Sequence, residues 1–392
     1  MTEWRECKLK ELADFNPDSL TAKSKLQFIN YLDTGNITKG KIDKIQYFNL
    51  LTDKVPSRAK RIVKKNDIIY SAVRPNQEHY GIIKNPVENM VVSTGFVVLR
   101  AKEDKCYSDF LYYFLTLPEN TEYLSNVAED STTAYPSITP DIIMDMDISL
   151  PPLPEQIAIA EVLSSLDDKI DLLTRQNNTL EDLGQAFFRK WFVEDADEKL
   201  KKYPLSELMV IQNGFAFRSR DYQDAGKYKI VTIKNVQDGF IDTSGTTFLN
   251  QLPVGMPDYV LLTIGDVLIS LTGNVGRVGI VVEDNLLLNQ RVAKISPYNP
   301  EYLPFLYFYF RNETTREYLI NLAHGTAQAN LSPIETLKTE VSFSKTLIKK
   351  YSELFMPMYQ KIIKNKQQII VLQKLRDTLL PKLISGEVRV KL

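Results

Sequence analysis

Hydrophobic and polar positions follow two patterns along this chain, and the change from one pattern to the other occurs twice. Short runs of β-branched and apolar residues broken by turn residues, such as DIIYSAV and YVLLTIGDVLISL, predict strands of twisted sheets. After each β-rich stretch comes a long segment whose apolar residues recur every three or four positions, which predicts an amphipathic helix. The chain therefore falls in the α+β class, with two β-rich domains that are each followed by a long helix.

The same order of elements recurs about half a chain later, at low sequence identity. KLKEL matches YPLSEL, NDIIYS matches GDVLIS, and SITPDIIMDMDIS matches NLSPIETLKTEVS, in the same order. A period of roughly 200 residues indicates a duplicated domain, because the repeats of a solenoid are far shorter. Two unrelated domains of similar class are the alternative.

The two long segments carry a narrower pattern within the helical period. Pro154 stands near the start of the first one, where the first turn of a helix tolerates proline. Apolar residues then recur with the spacing of a coiled-coil seam, and an asparagine interrupts each seam. The predicted seam consists of Leu163, Leu166, Ile170, Leu173, Asn177, Leu180 and Phe187 in the first helix, and Met358, Ile362, Asn365, Ile369, Leu372 and Leu379 in the second.

Such a seam needs a partner helix, and each copy offers one to the other. If both helices leave their domains in the same sense, a pseudo-twofold repeat makes the pair antiparallel and places the domains at opposite ends of a rigid rod. The two asparagines would then restrict the register of the pair. The predicted bounds are residues 1–152 for the first domain, 153–195 for the first helix, 196–344 for the second domain and 345–392 for the second helix.

Composition limits the class of protein without naming it. With 392 residues, 44% of them hydrophobic, the chain suits two or three domains with sizeable cores. No apolar run is long enough to span a bilayer, and the start MTEWRECKLK lacks the apolar core of a signal peptide, so we expect a cytoplasmic protein that does not bind membranes. Cys7, Cys106, His79 and His324 are too few for a disulfide framework or a zinc cluster, and we predict no metal site.

Charge and residue type limit the ways in which the chain could contact DNA. A net charge of −1 argues against a protein that coats DNA whatever its sequence, but it allows a local basic face. Arg, Lys, Asn and Gln are the side chains that contact base edges and phosphates. The candidates are Arg58, Lys60 and Arg61 in the basic run DKVPSRAKRIVKK, Arg74, Asn76, Gln77 and His79 in VRPNQEHYG, and Arg218, Arg220, Asn274, Arg277, Gln290, Arg291, Gln328 and Asn330 in the second half. For the basic run, a solvated surface is an equally good interpretation.

Motifs for catalysis by the chain itself are missing. The sequence contains neither a GxxxxGK phosphate loop nor a GxGxxG dinucleotide turn. NPEY differs from the NPPY of adenine methyltransferases at Glu301, and we interpret it as a turn that starts a helix before Leu303. We interpret the aromatic-rich segments YSDFLYYFLTL and YLPFLYFYF as core helices rather than stacking platforms. We therefore predict a protein that is not an enzyme and relies on partners for catalysis.

Nearly the whole chain resembles the specificity subunit of type I restriction–modification systems. The resemblance rests on LPPLPEQIAIAEVLSSLDDKID, QNGFAFRSRDY, VLISLTGNVGRVGIVVEDNLLLNQRVAKISP, HGTAQANLSPIETLKTEVSF and the closing LQKLRDTLLPKLISGEVRV. Each motif is weak by itself, but their order is specific. The second helix departs from the pattern, because SKTLIKKYSE replaces the proline and EQ that introduce the first.

The resemblance implies two target-recognition domains that read a bipartite sequence in double-stranded DNA, one half-site each, with the helices setting the spacer. It also implies two modification subunits that methylate adenine with S-adenosylmethionine, and restriction subunits that use ATP and magnesium and cut DNA. Candidates for docking these partners are Lys169, Arg175, Glu181 and Lys190, with solvated charge as an equal alternative. The alternative function is a duplicated coiled-coil scaffold that gathers partners without reading DNA.

Overall fold

The computed structural model describes residues 4–21, 24–130, 135–195, 202–323 and 330–391. The chain divides into two compact units: Met1–Asp168 with Gln373–Leu392, and Lys169–Leu372. Each unit thus contains one β-rich domain and a part of each long helix. The four domain bounds predicted from the sequence assign each long helix to a segment of its own, and they stay a prediction.

The first unit contains most of its regular structure before residue 151. Its strands are β1 (Arg5–Lys8), β2 (Ala13–Phe15), β3 (Phe28–Leu32), β4 (Ile37–Thr38), β5 (Lys41–Ile42), β6 (Gln46–Asn49), β7 (Ala59–Ile62), β8 (Ile68–Ser71), β9 (Tyr80–Ile82), β10 (Met90–Ser93), β11 (Phe96–Ala101) and β12 (Asp147–Leu150). Its helices are α1 (Leu9–Leu12), α2 (Ser108–Leu115), α3 (Pro118–Glu129), α4 (Pro140–Met144) and the beginning of α5 (Leu153–Arg189).

Two sheets form the centre of this unit. One has the strand order β6-β3-β10-β7, with β10 parallel to β3, and the other has the order β2-β11-β8-β9 with antiparallel neighbours. Every residue of β8 and of β10 is buried, so these strands are covered on both faces. This burial explains why they appear in the sequence as continuous apolar runs rather than as an alternating pattern.

The second unit repeats this arrangement. Its strands are β13 (Lys202–Pro204), β14 (Met209–Asn213), β15 (Tyr228–Val231), β16 (Gly239–Phe240), β17 (Phe248–Leu249), β18 (Leu261–Leu262), β19 (Val267–Ser270), β20 (Val278–Ile280), β21 (Leu286–Leu288), β22 (Val292–Pro297) and β23 (Glu340–Ser342). Its helices are the remainder of α5, then α6 (Leu303–Arg311), α7 (Glu313–Ala323), α8 (Pro333–Lys338) and most of α9 (Lys345–Ile384).

The strand order confirms the duplication. The sheet β17-β15-β21-β18 has its parallel pair at the same place as its counterpart in the first unit, and β14-β22-β19-β20 corresponds to β2-β11-β8-β9 with β16 added at the edge. In both units a further antiparallel pair, β1 with β12 or β13 with β23, joins the start of the domain to its end. The fold is the predicted α+β class.

The aromatic-rich segments form core helices, as predicted. Phe110 and Leu111 of α2 and Phe305 and Phe308 of α6 are fully buried. The NPEY segment is the predicted helix-start turn, because the Asn299 side chain accepts a hydrogen bond of 3.0 Å from the backbone N–H of Glu301 at the start of a 3₁₀ turn that leads into α6.

The long helices α5 and α9 pack against each other in both units, and the contacts in the second unit show that their orientation is antiparallel. In the first unit, Arg376 donates a hydrogen bond of 2.8 Å to Asp167. In the second, Asn365 donates one of 2.9 Å to Asn177, and the rings of Phe187 and Phe355 lie 5.6 Å apart. In the second unit, residue numbers therefore rise along α5 as they fall along α9.

Most of the predicted seam residues are buried or half-buried, and Phe187 departs from this pattern at 38% exposure. Its neighbour Phe188 is buried instead, with its ring 5.7 Å from that of Phe305. The reason is that this end of α5 packs on the domain as well as on α9. A Cβ added to Gly184 would lie 2.2 Å from the Phe308 ring, so this glycine permits the close approach.

Glu155 and Gln156, the EQ near the start of the first long helix, form hydrogen bonds with distant parts of the first unit. Glu155, only 4% exposed, accepts hydrogen bonds from Arg389 at 2.7 Å and from the Trp4 indole at 3.3 Å. Gln156 accepts a hydrogen bond of 2.8 Å from the backbone N–H of Tyr107 and donates one of 2.8 Å to the carbonyl of Pro151. The core of this unit also includes Leu380, Leu383 and Ile384 from the end of α9.

Candidate nucleic-acid interface

Three segments of the first unit meet where β8 ends. The backbone N–H of Ser71 donates to the carbonyl of His79 at 2.9 Å, and that of Ala72 donates to the carbonyl of Gly95 at 2.8 Å. Ala72 in turn accepts a hydrogen bond of 2.8 Å from Ile138. We call this place, made of residues 72–79, 94–95 and 135–138, the first loop edge.

The loop between β8 and β9 has a constrained backbone. Arg74 and Glu78 both adopt left-handed conformations, with φ of 49° and 55°, on either side of the 3₁₀ turn Pro75–Gln77. The N–H of Arg74 donates to the carbonyl of Pro136 at 2.9 Å. Pro75 is buried, whereas the side chains of Arg74, Asn76 and Gln77 are exposed. The loop therefore presents its polar side chains from a fixed base.

His79 supports this loop from below. Its Nδ1 lies 2.6 Å from the carbonyl oxygen of Ile37, and its Nε2 lies 3.2 Å from Oε1 of Gln77. The imidazole is half-buried. It therefore orients the exposed Gln77 rather than extending towards a ligand itself.

The basic run contacts the first loop edge through the backbone of Arg58. The carbonyl of Arg58 accepts a hydrogen bond of 2.8 Å from Thr94, the neighbour of Gly95. Arg58 and Lys60 are exposed, whereas Arg61 is half-buried and its burial lowers the pKa of the guanidinium. Arg58 thus lies beside the loop, and Arg61 is partly withdrawn from solvent.

The second unit builds the same edge from equivalent hydrogen bonds. Ser270 donates to the carbonyl of Arg277 at 2.9 Å, and Leu271 donates to that of Arg291 at 3.2 Å. Leu331 donates to the carbonyl of Leu271 at 2.8 Å. We call residues 271–277, 290–291 and 330–331 the second loop edge. It brings together the predicted candidates Asn274, Arg277, Gln290, Arg291 and Asn330.

Arg277 differs from the exposed candidates of the second loop edge. It is half-buried, and its Nη1 donates a hydrogen bond of 3.0 Å to Oε1 of Gln237. Its Nε is buried and has no hydrogen-bond partner in the described part of the chain. Asn274, Gln290, Arg291 and Asn330 are exposed.

The structure separates other candidates from these edges. Arg218 and Arg220 are exposed at the turn Ser219–Asp221, where Arg220 lies 3.7 Å from Asp221, and in the described residues no hydrogen bond joins this turn to the second loop edge. Gln328 lies outside the described residues. No pattern in the sequence indicates a role for Tyr135, whose ring centroid is 5.4 Å from the guanidinium of Arg74.

The prediction that Glu181 docks a partner subunit is wrong. It is 14% exposed and forms ion pairs with Arg311 and, at 3.5 Å, with Lys366, so it stabilises the second unit instead of facing a partner. Lys169, Arg175 and Lys190 are exposed; Arg175 pairs with Asp171 and Lys190 with Asp195, each at 2.8 Å.

The described residues can also be compared with the requirements of a metal site, a cysteine nucleophile and a membrane-spanning helix. They contain no group of three or more His, Cys, Asp or Glu side chains arranged to hold a metal ion, and His324 lies outside them. Burial raises the pKa of the Cys106 thiol to about 12, so this cysteine is not a thiolate nucleophile near neutral pH. None of the described helices is both long and apolar enough to cross a membrane.

Comparison with known proteins gives a consistent result. A model of the type I restriction modification DNA specificity domain matches residues 1–182 and 197–342. The chain is 25% identical to the HindI specificity subunit of Haemophilus influenzae, covering 99% of this chain and 100% of that protein. It is 27% identical to the MjaIX specificity subunit of Methanocaldococcus jannaschii, covering 88% and 82%.

Among solved structures, the type I restriction-modification S subunit from M. genitalium aligns with a TM-score of 0.59 at 18% identity, over 97% of this chain and 96% of that one, which shows a shared fold. The family model matches one stretch in each β-rich domain and covers well over half of the chain. The duplicated strand order and the packed long helices agree with that match. The chain therefore belongs to the type I restriction–modification DNA specificity family, as a specificity subunit with two recognition domains.

Proposed function

We propose that this chain reads a bipartite sequence in double-stranded DNA without catalysing a reaction itself. Each unit would contact one half-site through its loop edge. Exposed Arg, Asn and Gln side chains at these edges have the donors and acceptors that distinguish base pairs in the major groove. Arg58, Lys60, Arg218 and Arg220 would contact phosphates, which position a protein on DNA without reading its sequence.

The observation that carries the proposal is the repetition of one frame with different side chains. Equivalent backbone hydrogen bonds hold the loop after β8 and the loop after β19. The first loop presents Arg74, Asn76 and Gln77, and the second presents Asn274. A shared frame with different exposed donors suits a pair of readers for two different sequences, because base identity is read by side-chain chemistry.

The helix pair supports the bipartite part of the proposal. Helices α5 and α9 are each continuous, from Leu153 to Arg189 and from Lys345 to Ile384, and each contributes residues to both units. A rigid pair of this kind would set the number of unread base pairs between the half-sites. It would also offer exposed charged positions such as Lys169, Arg175 and Lys190 to partners.

The partners follow from the family. We propose that the chain assembles in the cytoplasm with two modification subunits, which methylate adenine using S-adenosylmethionine, and with restriction subunits, which use ATP and magnesium to cleave DNA. HindI and MjaIX, which this chain resembles, are named as type I restriction enzymes. The cofactors would bind to those subunits rather than to this chain.

Methylome sequencing tests the proposal directly. Cells that express this chain with its modification subunit should methylate adenines in a two-part motif, and cells without it should lose that motif. Replacing the exposed Asn274 and Gln290 together by Ala should relax one half-site and leave the other unchanged, with a loss of roughly 1 to 3 kcal/mol for each base contact. The matched control, Asn321→Ala with Gln251→Ala at exposed positions of the second unit, should leave both half-sites unchanged.

Two results would contradict the proposal. If the double variant at the second loop edge degrades both half-sites while the protein remains folded, the units do not read separately. If deletion of the gene leaves every methylated motif intact, while the chain still binds a methyltransferase, the alternative of a scaffold that does not read DNA is favoured.

A further inference from the structure

Arg74 occupies a backbone position that the second unit fills with glycine. Val73 pairs with Ser137 in the first unit, and Thr272 pairs with Asn330 in the second, in equivalent isolated bridges. The residue that follows is Arg74 in one unit and Gly273 in the other. Both are left-handed, with φ of 49° and 70°.

Arginine is an unfavourable choice at this position for stability alone. A left-handed backbone brings Cβ close to the following carbonyl oxygen, and glycine avoids this contact. The next residue is Pro75, and a proline restricts the backbone of the residue before it. Strained backbone of this kind is concentrated at functional sites. The backbone conformation therefore gives no reason to prefer Arg74 over the glycine found in the other unit.

The Arg74 side chain is placed to contact a ligand. It is exposed, and its guanidinium lies over the Tyr135 ring, 5.4 Å from the centroid. In the described residues it has no ion-pair partner, whereas Arg100 in the same unit is paired with both Asp67 and Asp18 at 2.7 Å. The nearby Glu78 is paired with Lys39 at 2.8 Å, so its charge is already compensated.

We propose that Arg74 reads a guanine in the half-site contacted by the first unit. This inference rests on the proposed function. Stacking on an aromatic ring fixes the plane of a guanidinium and leaves the N–H groups at its edge available. Two of those groups match the O6 and N7 acceptors that guanine presents in the major groove. Asn76 and Gln77 line the same shallow pocket and would contact the neighbouring bases.

Two substitutions separate base reading from other roles. Arg74→Lys keeps the charge but removes the planar pair of donors, and Arg74→Gly removes the side chain and relieves the backbone. We expect methylomes of cells with the complete set of subunits to show a guanine position in one half-site. Both variants should reduce discrimination at that position by about tenfold to a hundredfold, with the other half-site unchanged. Arg5→Lys, an exposed arginine on β1, is the matched control and should retain the full motif.

The melting temperature of the purified modification complex completes the test. We expect Arg74→Gly to melt at or above the temperature of the original protein. If Arg74→Lys retains the full motif, Arg74 contacts a phosphate and the inference is wrong. A clear fall in the melting temperature of Arg74→Gly, with loss of methylation at every sequence, would assign the residue a structural role. Absence of any sequence-dependent methylation by the original complex would instead contradict the proposed function.

Discussion

At the residue scale, the least expected feature is a buried cluster of charges on α5. Glu181 accepts a hydrogen bond of 3.0 Å from the Tyr307 hydroxyl and pairs with Arg311 and Lys366. Burial lowers the pKa of Lys366, because its ammonium has lost water. The single carboxylate therefore compensates two partly buried cations.

Removal of that carboxylate should be costly. We expect Glu181→Ala to lower the free energy of unfolding by about 3 to 5 kcal/mol, because it leaves the partly buried Arg311 and Lys366 without their shared ion-pair partner. The control Asp171→Ala breaks the exposed pair with Arg175 and should cost about 0.5 kcal/mol or less. Urea unfolding measures both. Equal, small losses would show that water compensates the buried cations.

Buried tyrosines should make the protein sensitive to alkali. Burial raises the pKa of Tyr70 to about 12 and holds that of Tyr309 far above its usual 10.0. In the unfolded chain these tyrosines ionise near pH 10. Their contribution to the free energy of unfolding is therefore fully present below pH 10 and is lost as the pH rises above it. The loss is up to about 1.4 kcal/mol per pH unit for each tyrosine. Tyr309→Phe should reduce the fall of the unfolding free energy with pH by the contribution of about one proton. Tyr47→Phe, at an exposed position, should not. Urea titrations from pH 9 to 11 measure the slope.

Residue type and loop placement were enough to select the exposed candidates Arg74, Asn76 and Asn274, because turn residues mark a loop in the sequence. Residue type and loop placement did not predict that the side chains of His79 and Arg277 are bound within the fold, to Ile37 and Gln237 respectively. Those partners are about 40 residues away, and the chain contains no local pattern that pairs them. Their assignment as DNA contacts stays a prediction.

At the scale of elements, the two asparagines of the seam bind each other. Asn365 donates to Asn177, which in turn lies 3.4 Å from the carbonyl of Ile362. We expect Asn177→Leu alone to cost about 1 to 3 kcal/mol, because it leaves the Asn365 amide buried without this partner.

Replacement of both asparagines by Leu should have a different effect. It restores an apolar seam and should raise the melting temperature, at the expense of a unique register or oligomeric state. Calorimetry and light scattering measure the two quantities. A double variant that is less stable than the single one would mean that the amides belong to a larger network.

The elements themselves were largely predictable because their patterns are local. The apolar runs of β8 and β19 and the spacing along α5 each lie within one stretch of chain. The loop edges were not predictable, since Ala72 pairs with Gly95 and Ile138 through backbone atoms, which leave no mark on residue type. The seam pattern selects Phe187, whose ring lies 5.6 Å from that of Phe355, but it gives no sign that the neighbouring Phe188 packs on the domain.

At the scale of the whole molecule, the proposed spacer can be lengthened. One heptad adds about 10 Å of helix, which corresponds to about three base pairs at 3.4 Å each. A heptad inserted after Leu173, with its counterpart after Asn365, keeps both seams in phase. We expect unchanged half-sites and a spacer longer by about one to two base pairs, because three would also rotate the second groove about 100° around the duplex.

Methylome sequencing again gives the result. A heptad in α5 alone, which shifts its seam by one heptad relative to that of α9, is the control and should reduce methylation altogether. An active complex that keeps the original spacer after the matched insertion would show that the helix pair does not set the distance.

The division of the chain into units also fixes an order of events during synthesis. The second unit is one continuous segment, Lys169–Leu372, whereas the first needs Gln373–Leu392 as well. Leu380, Leu383 and Arg389 cannot complete the core and the Glu155 cluster until translation has passed the entire second unit. The domain that leaves the ribosome first should therefore finish folding last. Ribosome-bound chains that continue after Leu372 with a linker long enough to span the exit tunnel should resist protease in the second unit and remain cleavable in the first.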